Sequence, residues 1–291
     1  MPPVLPQAAT WLPLLERALA EDLGAGDVTT LAVLPDDTHL EAVVEAREDA
    51  TVCGLVVAAR AFEASGDVTV SPEASDGDRV AAGAALLRLQ GSAHTILAGE
   101  RTALNFLGRL TGVATWTRRF VDAVAGTGTQ IVDTRKTLPG WRVLDKYAVA
   151  VGGGVNHRAG LYDAALIKDN HVAAAGGVEA AVKTARAALP PHLWLQVEVE
   201  TPEQARQALG AGADSLLLDN QSPEQLRALA DELSGKILLE ASGGVSLANV
   251  REIAETGVQR ISIGALTHSA PHADVALEVT GGGLARPRVG A

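Results

Sequence analysis

The spacing of apolar residues changes character at Gly128. Before it, Leu12, Leu15 and Leu19 recur at helical intervals in WLPLLERALAEDLG, and Gly24 ends the predicted helix. HLEAVVEARED and ATVCGLVVA alternate or cluster β-branched residues and predict strands. DVTVSPEASDGDRVAAGAALLRLQG predicts short strands broken by Gly/Asp turns. HTILAGERTALNFLGRLTGVATWTRRFVDAVAG predicts one long helix, with Ile96, Leu97, Leu104, Leu107 and Leu110 on its apolar side.

After Gly128, apolar strand-like runs alternate with Ala-rich helical runs. The predicted strands are QIVDT, DAALIKD, LWLQVEVE, DSLLLDN, KILLEAS and RISIGA. Between several of them stand VEAAVKTARAAL, PEQARQALGAG, PEQLRALADEL and SLANVREIAETG. Several of these helices begin after Thr, Ser or a Thr/Ser-Pro pair, whose hydroxyls can accept from unpaired first-turn N–H groups. Nearly continuous apolar strands alternating with helices predict a parallel sheet covered by helices. This predicts an α/β barrel, complete or partial, in preference to an open sheet.

The ends of these strands support that choice. Asp133 is followed by Arg135 and Lys136, Lys168 by Asp169, Glu198 by Glu200, Asp219 by Asn220 and Glu240 by Ser242. Barrel enzymes gather their working groups at the carboxyl ends of the strands. A doubly wound dinucleotide-binding sheet is not supported, because VGGGVNH lacks the G-x-G-x-x-G spacing after a clear strand.

Charge then changes the picture. The 291-residue chain has 24 Lys+Arg against 35 Asp+Glu, a formal net charge of -11. An acidic bulk argues against nucleic acid or anionic membrane as partner. Yet DTRKTLPGWRVLDKYAVAVGGGVNHRAG gathers Arg135, Lys136, Arg142, Lys146, His157 and Arg158 around three consecutive glycines. Arg135, Lys136, His157, Arg158 and Lys168 form a candidate site for a small polyanion, since Arg offers a bidentate fork and Lys a point charge. Arg142 and Lys146 are better explained by salt bridges to the protein's own acids. Ser242, Gly243 and Gly244, with Gly264 one strand later, offer backbone N–H groups for a phosphate. Glu198 and Asp219 could hold Mg²⁺ through water, accept sugar hydroxyls or stabilise a developing cation.

No H-x-H, H-E-x-x-H or Cys/His spacing predicts a tight transition-metal site, and His171 and His268 read as structural. Cys53 is the single cysteine and reads as a small buried hydrophobe. The N-terminal stretch has no basic segment before a long apolar core, and no run of 18 uncharged apolar residues occurs. A cytoplasmic protein is expected.

EDLGAGDVTT, ERTALNFLGRLTGVAT, the long run from Asp133 through KDNH, VEVE, LLLDN and EASGG resemble, in this order, the quinolinate phosphoribosyltransferase family, also called carboxylating nicotinate-nucleotide pyrophosphorylases. The resemblance implies an N-terminal swivel-like α/β domain (residues 1–112) followed by an open seven-stranded α/β barrel (113–267), with 268–291 packing on the first domain. It implies a homodimer with shared active sites, in which Arg101 reaches the partner's site. By the same resemblance, Arg135, Lys136, His157, Arg158 and Lys168 surround the quinolinate carboxylates. Glu198 and Asp219 face the ribose and Mg²⁺ of phosphoribosyl pyrophosphate, and Ser242, Gly243, Gly244 and Gly264 hold its 5′-phosphate. Lys136, Glu198 and Asp219 are the implied catalytic residues. Mg²⁺ and no organic cofactor are expected. TGGGLARPRVGA matches no motif and is expected to be a flexible end.

Other readings are a molybdenum-transport-associated relative, a barrel isomerase or aldolase using Lys168 or Glu198, and a non-catalytic anion sensor. The complete cation set favours quinolinate over the first, exceeds the needs of the second, and the Glu198/Asp219 pair has no role in the third.

Overall fold

The computed structural model describes residues 3–284. In chain order, a 3₁₀ turn (Ala8–Thr10) leads to α1 (Leu12–Leu23), α2 (Val28–Val33), β1 (Thr38–Ala46), β2 (Ala50–Thr51), α3 (Leu55–Ser65), β3 (Val68–Pro72), β4 (Arg79–Val80), β5 (Ala85–Ser92) and the long α4 (Ala93–Ala123). Then come β6 (Gln130–Val132), α5 (Arg142–Val151), β7 (Ala165–Ile167), α6 (Asp169–Ala175), α7 (Val178–Ala188), β8 (Leu195–Val199), α8 (Pro202–Ala211), β9 (Ser215–Asp219) and α9 (Pro223–Leu233). The chain continues with β10 (Leu238–Ser242), α10 (Val250–Ala254), β11 (Arg260–Ser262), α11 (Ala265–His268) and β12 (Val275–Leu284).

These elements form two compact units. One takes in the chain up to Trp116, Leu138–Gly152 and the segment from Ala270 onward; the other comprises Thr117–Thr137 and Gly153–Ser269. The boundary therefore falls inside α4, and α5 is an excursion from the second unit's sequence into the first.

The first unit is built on an antiparallel sheet of order β12-β1-β5-β3. Leu86, Leu87 and Leu89 of β5 and Val44 of β1 are buried, as are Leu55, Val57 and Phe62 of α3, which packs on β3 and β5. Two sequence expectations are corrected here. ATVCGLVVA is not one strand: it pairs only at Ala50–Thr51 and then becomes α3. The apolar run has no period that separates strand from helix, and Gly54, at φ 101°, turns the chain. The Asp76 carboxylate then accepts from the N–H groups of Gly54 and Leu55, 22 and 21 residues away in sequence. The supposed flexible end is strand as far as Leu284: β12 lies antiparallel to β1, from Thr38↔Leu284 to Ala46↔Val275. Residues 285–291, the rest of that expectation, lie outside the described residues.

Within the same unit, Phe106 of α4 stacks on Trp141 at 4.4 Å. Arg109 meets the fully buried Asp145 of α5 at 2.9 Å. Cys53 is buried, as expected; burial, then the Asp76 charge, raises its thiol pKa well above the ordinary value.

The second unit is a six-stranded parallel sheet of order β6-β11-β10-β9-β8-β7. An isolated parallel bridge joins Val132 to Val155. The expected caps are present: Thr201 accepts from the Gln204 N–H and Ser222 from the Gln225 N–H, at 3.2 and 3.3 Å, each within a capping box. α8 packs on β8 and β9, and α10 on β11. No helix among the described residues is long and apolar enough to cross a membrane.

Candidate active site

Strand alternation makes the site. In β8, Leu195, Val197 and Val199 are fully buried on one face, while Gln196 and Glu198 point to the other. The register extends that second face across the sheet. Glu198 and Glu240 both pair with Leu217, and Asp219 pairs with Ser242, which pairs with Ser262. One face is thus apolar packing and the other is largely polar. At the carboxyl ends of the strands this polar face opens into a cavity of about 550 Å³.

Carboxylates lie on the sheet side of the cavity, cations largely on the loops. Arg135 and Lys136 follow β6, His157 and Arg158 follow Val155, and Lys168 follows β7; all five line the cavity. The Thr134 hydroxyl accepts from the Lys136 N–H at 3.0 Å, and the Thr267 hydroxyl donates to the Lys136 carbonyl at 2.8 Å. The Lys136 stem runs so close to Gly264 that a Cβ there would lie 2.8 Å from Lys136 Cδ.

Arg158 Nη1 donates to the Ala164 carbonyl at 3.0 Å. Burial, then the charge of nearby Arg135, lowers the Arg158 guanidinium pKa from its ordinary value, with Asp163 opposing. Two arginines close together, partly removed from water, favour an anion between them. Arg135 Nε is buried without a hydrogen-bond acceptor. Lys168 differs: its Nζ sits 3.3 Å from Glu198 Oε2, so it links the cationic and acidic sides.

The acidic side continues at Asp219, which accepts from Asn220 Nδ2 at 2.7 Å. Asn220 has φ 51°, the only positive value at a non-glycine among the described residues, and its N–H donates to the Ser242 carbonyl at 2.8 Å. Gly243, at φ 94°, packs against it: a Cβ there would lie 2.1 Å from Asn220 Oδ1 and 3.0 Å from its backbone nitrogen. Asn220 and Gly243 thus fit together only because one residue has no side chain.

Comparison with known proteins identifies the family. The C-terminal domain of quinolinate phosphoribosyl transferase matches residues 113–278, and its N-terminal domain matches residues 27–111. The chain belongs to the quinolinate phosphoribosyltransferase family. It is 41% identical over 268 residues, 92% of each chain, to a probable nicotinate-nucleotide pyrophosphorylase [carboxylating] of Bacillus subtilis. It is 44% identical to the nicotinate-nucleotide pyrophosphorylase [carboxylating] of Mycobacterium leprae, covering 91% of this chain and 95% of that one. The solved nicotinate-nucleotide pyrophosphorylase of Francisella tularensis superposes with a TM-score of 0.90 at 36% identity, covering 96% of this chain and 99% of that one.

The residues that the family resemblance singled out fall into two groups. The five cations, Glu198, Asp219, Ser242, Gly243, Gly244 and Gly264 all line the one cavity. Arg101 does not: it is exposed on the part of α4 that belongs to the first unit. Arg142 and Lys146 lie on α5, also in the first unit.

Reading single residues missed Gln196 and gave Glu240, named only as a charged strand end, no role. Glu240, fully buried, lines the cavity, and Gln196 stands behind it. Period-two alternation back from Glu198 was the signal that could have found Gln196. His268 also lines the cavity, beside Gly264, with Nδ1 2.6 Å from the Ser269 hydroxyl. His171 stays outside it and accepts from the Lys168 N–H at 3.0 Å, a structural part as expected.

Among the described residues no group of three or more His, Cys, Asp or Glu could hold a metal ion. Glu198 and Asp219 are instead a pair of carboxylates lining the same cavity. That donor set fits Mg²⁺, which keeps several waters and commonly arrives with substrate phosphates.

Proposed function

We propose that this cavity transfers a phosphoribosyl group from phosphoribosyl pyrophosphate to quinolinate and releases CO₂, giving nicotinate mononucleotide and pyrophosphate for NAD biosynthesis. The observation that carries the reading is the meeting, in one cavity, of cations without acidic partners and carboxylates beside a glycine loop. Arg135 and Lys136 have no ion-pair partner among the described residues, whereas Glu198 and Asp219 approach from the sheet.

The chemistry follows from these charges. Arg135, Lys136 and Arg158 neutralise the two carboxylates of quinolinate and orient its ring nitrogen, with His157 and Lys168 at the rim of the same set. Ser242 and the backbone N–H groups of Gly243, Gly244 and Gly264 receive the 5′-phosphate. Departure of pyrophosphate leaves positive charge on the sugar carbon, which Glu198 and Asp219 stabilise. The ring nitrogen attacks that carbon and becomes cationic. The carboxylate beside it then leaves as CO₂, its electron pair held next to the positive nitrogen until a proton replaces it. Glu198 and Asp219 are the residues that would hold Mg²⁺, which would supply charge neutralisation for the pyrophosphate. No organic cofactor takes part.

We infer the finer architecture from the same family reading. The order Val155, β6, β11, β10, β9, β8, β7 is consistent with an open barrel of seven strands, the Val155 bridge standing for the short seventh. Residues 1–112 and 113–267 are the two domains in this reading, except that Leu138–Gly152 groups with the first unit, as does the chain from Ala270 to Leu284. The protein acts in the cytoplasm as a homodimer, and Arg101 completes the partner's site.

Incubation with quinolinate, phosphoribosyl pyrophosphate and Mg²⁺ tests the activity. Nicotinate mononucleotide, pyrophosphate and CO₂ in equal amounts are expected; binding without turnover would leave an anion sensor or the molybdenum-associated relative. Arg101→Ala and Lys168→Ala proteins, each nearly inactive, should recover roughly a quarter of wild-type activity when subunits exchange, since half the dimers are mixed and each has one intact site. Exchange without recovery would remove Arg101 from the shared site.

A further inference from the structure

A buried chain of polar groups stands behind the cations. Gln196 of β8 is 2% exposed and Glu240 of β10 is fully buried. Arg158 N–H lies 2.7 Å from His157 Nδ1, His157 Nε2 lies 2.8 Å from Gln196 Oε1, and Gln196 Nε2 lies 3.2 Å from Glu240 Oε2. The His157 N–H donates to the buried Asp133 carboxylate at 2.7 Å.

The direction of every bond in this chain follows from one end. A backbone N–H can only donate, so His157 Nδ1 accepts and the proton of the neutral ring sits on Nε2. Nε2–H then donates to the amide oxygen of Gln196. The amide NH₂ consequently faces Glu240, whose Oε2 accepts at 3.2 Å. Reversing the amide would set donor against donor at His157 and acceptor against acceptor at Glu240. Both ring nitrogens of His157 are thus engaged with the protein, and neither is turned towards a carboxylate of a bound ligand.

We propose that Gln196 and Glu240 are positioning residues: they hold His157 as its Nε2–H tautomer and thereby seat the His157–Arg158 backbone from which the Arg158 guanidinium reaches the dicarboxylate. The inference rests on the reading that this cavity takes quinolinate, and it changes the role of His157 within that reading. His157 acts through Arg158 and gives the ligand no hydrogen bond of its own. Glu240 Oε1, without a hydrogen-bond donor, lies 3.7 Å from His157 Nε2 and brings the end of the chain back towards the ring.

Two measurements test this. Nitrogen-15 NMR of the wild-type ring reads the tautomer without any turnover: in the neutral ring the proton is expected on Nε2, and a neutral ring protonated at Nδ1 overturns the proposal. The second is kinetic. Gln196→Leu removes both bonds at similar volume and is expected to raise the quinolinate KM by about tenfold, the loss of one to two hydrogen bonds. kcat and the phosphoribosyl pyrophosphate KM should stay within about threefold of wild type. Glu240→Gln, which keeps an acceptor for the amide, should stay close to wild type in the quinolinate KM, whereas Glu240→Leu should resemble Gln196→Leu.

Equal losses for both substrates, or an unchanged quinolinate KM in Gln196→Leu, overturn the positioning role. If Gln196→Leu does not fold, the wild-type tautomer and the Glu240→Gln and Glu240→Leu pair still decide. If wild type binds no quinolinate by calorimetry, it is the functional reading that falls, and the tautomer remains a separate result.

Discussion

Positive charge is handled in two ways in this molecule. On the surface, arginines and lysines stand beside acids of their own chain: Arg88 with Glu73 at 2.6 Å, Arg251 with Glu255 at 2.6 Å, Arg206 with Glu232 at 2.7 Å. In the cavity, Arg135 and Lys136 have no such partner among the described residues, and Arg158 is engaged by a backbone carbonyl. An acidic protein has acids to spare, so unmatched cations in a cavity are a local exception. Holding them together costs free energy through desolvation and mutual repulsion, as the lowered Arg158 pKa records. An anionic ligand relieves that cost. The contrast between matched and unmatched cations therefore separates surface chemistry from ligand recognition.

The sharpest way to break the contrast is to truncate a cavity arginine, either the unmatched Arg135 or Arg158, which only a backbone carbonyl holds by a hydrogen bond. Arg135→Ala or Arg158→Ala is expected to weaken quinolinate binding by about 2–5 kcal/mol, the usual loss when one partner of a desolvated charge pair is removed. Phosphoribosyl pyrophosphate affinity should fall much less, and calorimetry with each substrate checks both. Nicotinate, lacking one carboxylate, should be a poor substrate for the wild-type protein.

Next in size are the carboxylates across the cavity. Asp219→Asn and Glu198→Gln should lower kcat by about a hundredfold, comparable to losing one preorganised group that stabilises transition-state charge. The quinolinate KM should change less than kcat, because this contribution grows as charge develops. A variant that loses only quinolinate affinity would place its carboxylate on the wrong side of the cavity.

A smaller effect is expected from the loop between the two charge sets. Gly243→Ala forces a left-handed conformation on alanine and pushes its Cβ onto Asn220. About 1–3 kcal/mol of stability should be lost, with a raised phosphoribosyl pyrophosphate KM, measured by thermal unfolding and initial rates. The smallest effect belongs to the matched surface pairs. Arg88→Ala should cost less than about 1 kcal/mol and leave both substrate KM values unchanged. A large kinetic effect there would erase the distinction between the two kinds of cation.

Much of the second unit was legible along the chain. The six strands, four of the helices and their Thr201 and Ser222 caps follow from local period and local hydrogen bonding, which nearby residues largely decide. The charged strand ends were legible for the same reason. The α3 helix was not, because Asp76 caps it from across the unit and the run itself is apolar without period. β12 was not, because TGGG has little strand preference and pairs only where β1 provides an edge.

The sequence by itself determined the alternation of strands and helices, the acidic bulk with one basic stretch, and the family to which these motifs belong. These are properties of residue order, and residue order carries them without reference to distant contacts. Only the tertiary structure decided which cations stand unmatched. Lys168 falls beside Glu198, while Arg135 and Lys136 meet no acid among the described residues, although all three follow strands in the same way. Only the tertiary structure, too, set the chain from Glu240 through Gln196 to His157, since parallel pairing brings β8 and β10 to opposite sides of β9 and turns both side chains to one face. Charge pairing and tautomer depend on a few ångströms between residues dozens of positions apart, a quantity that residue order does not contain.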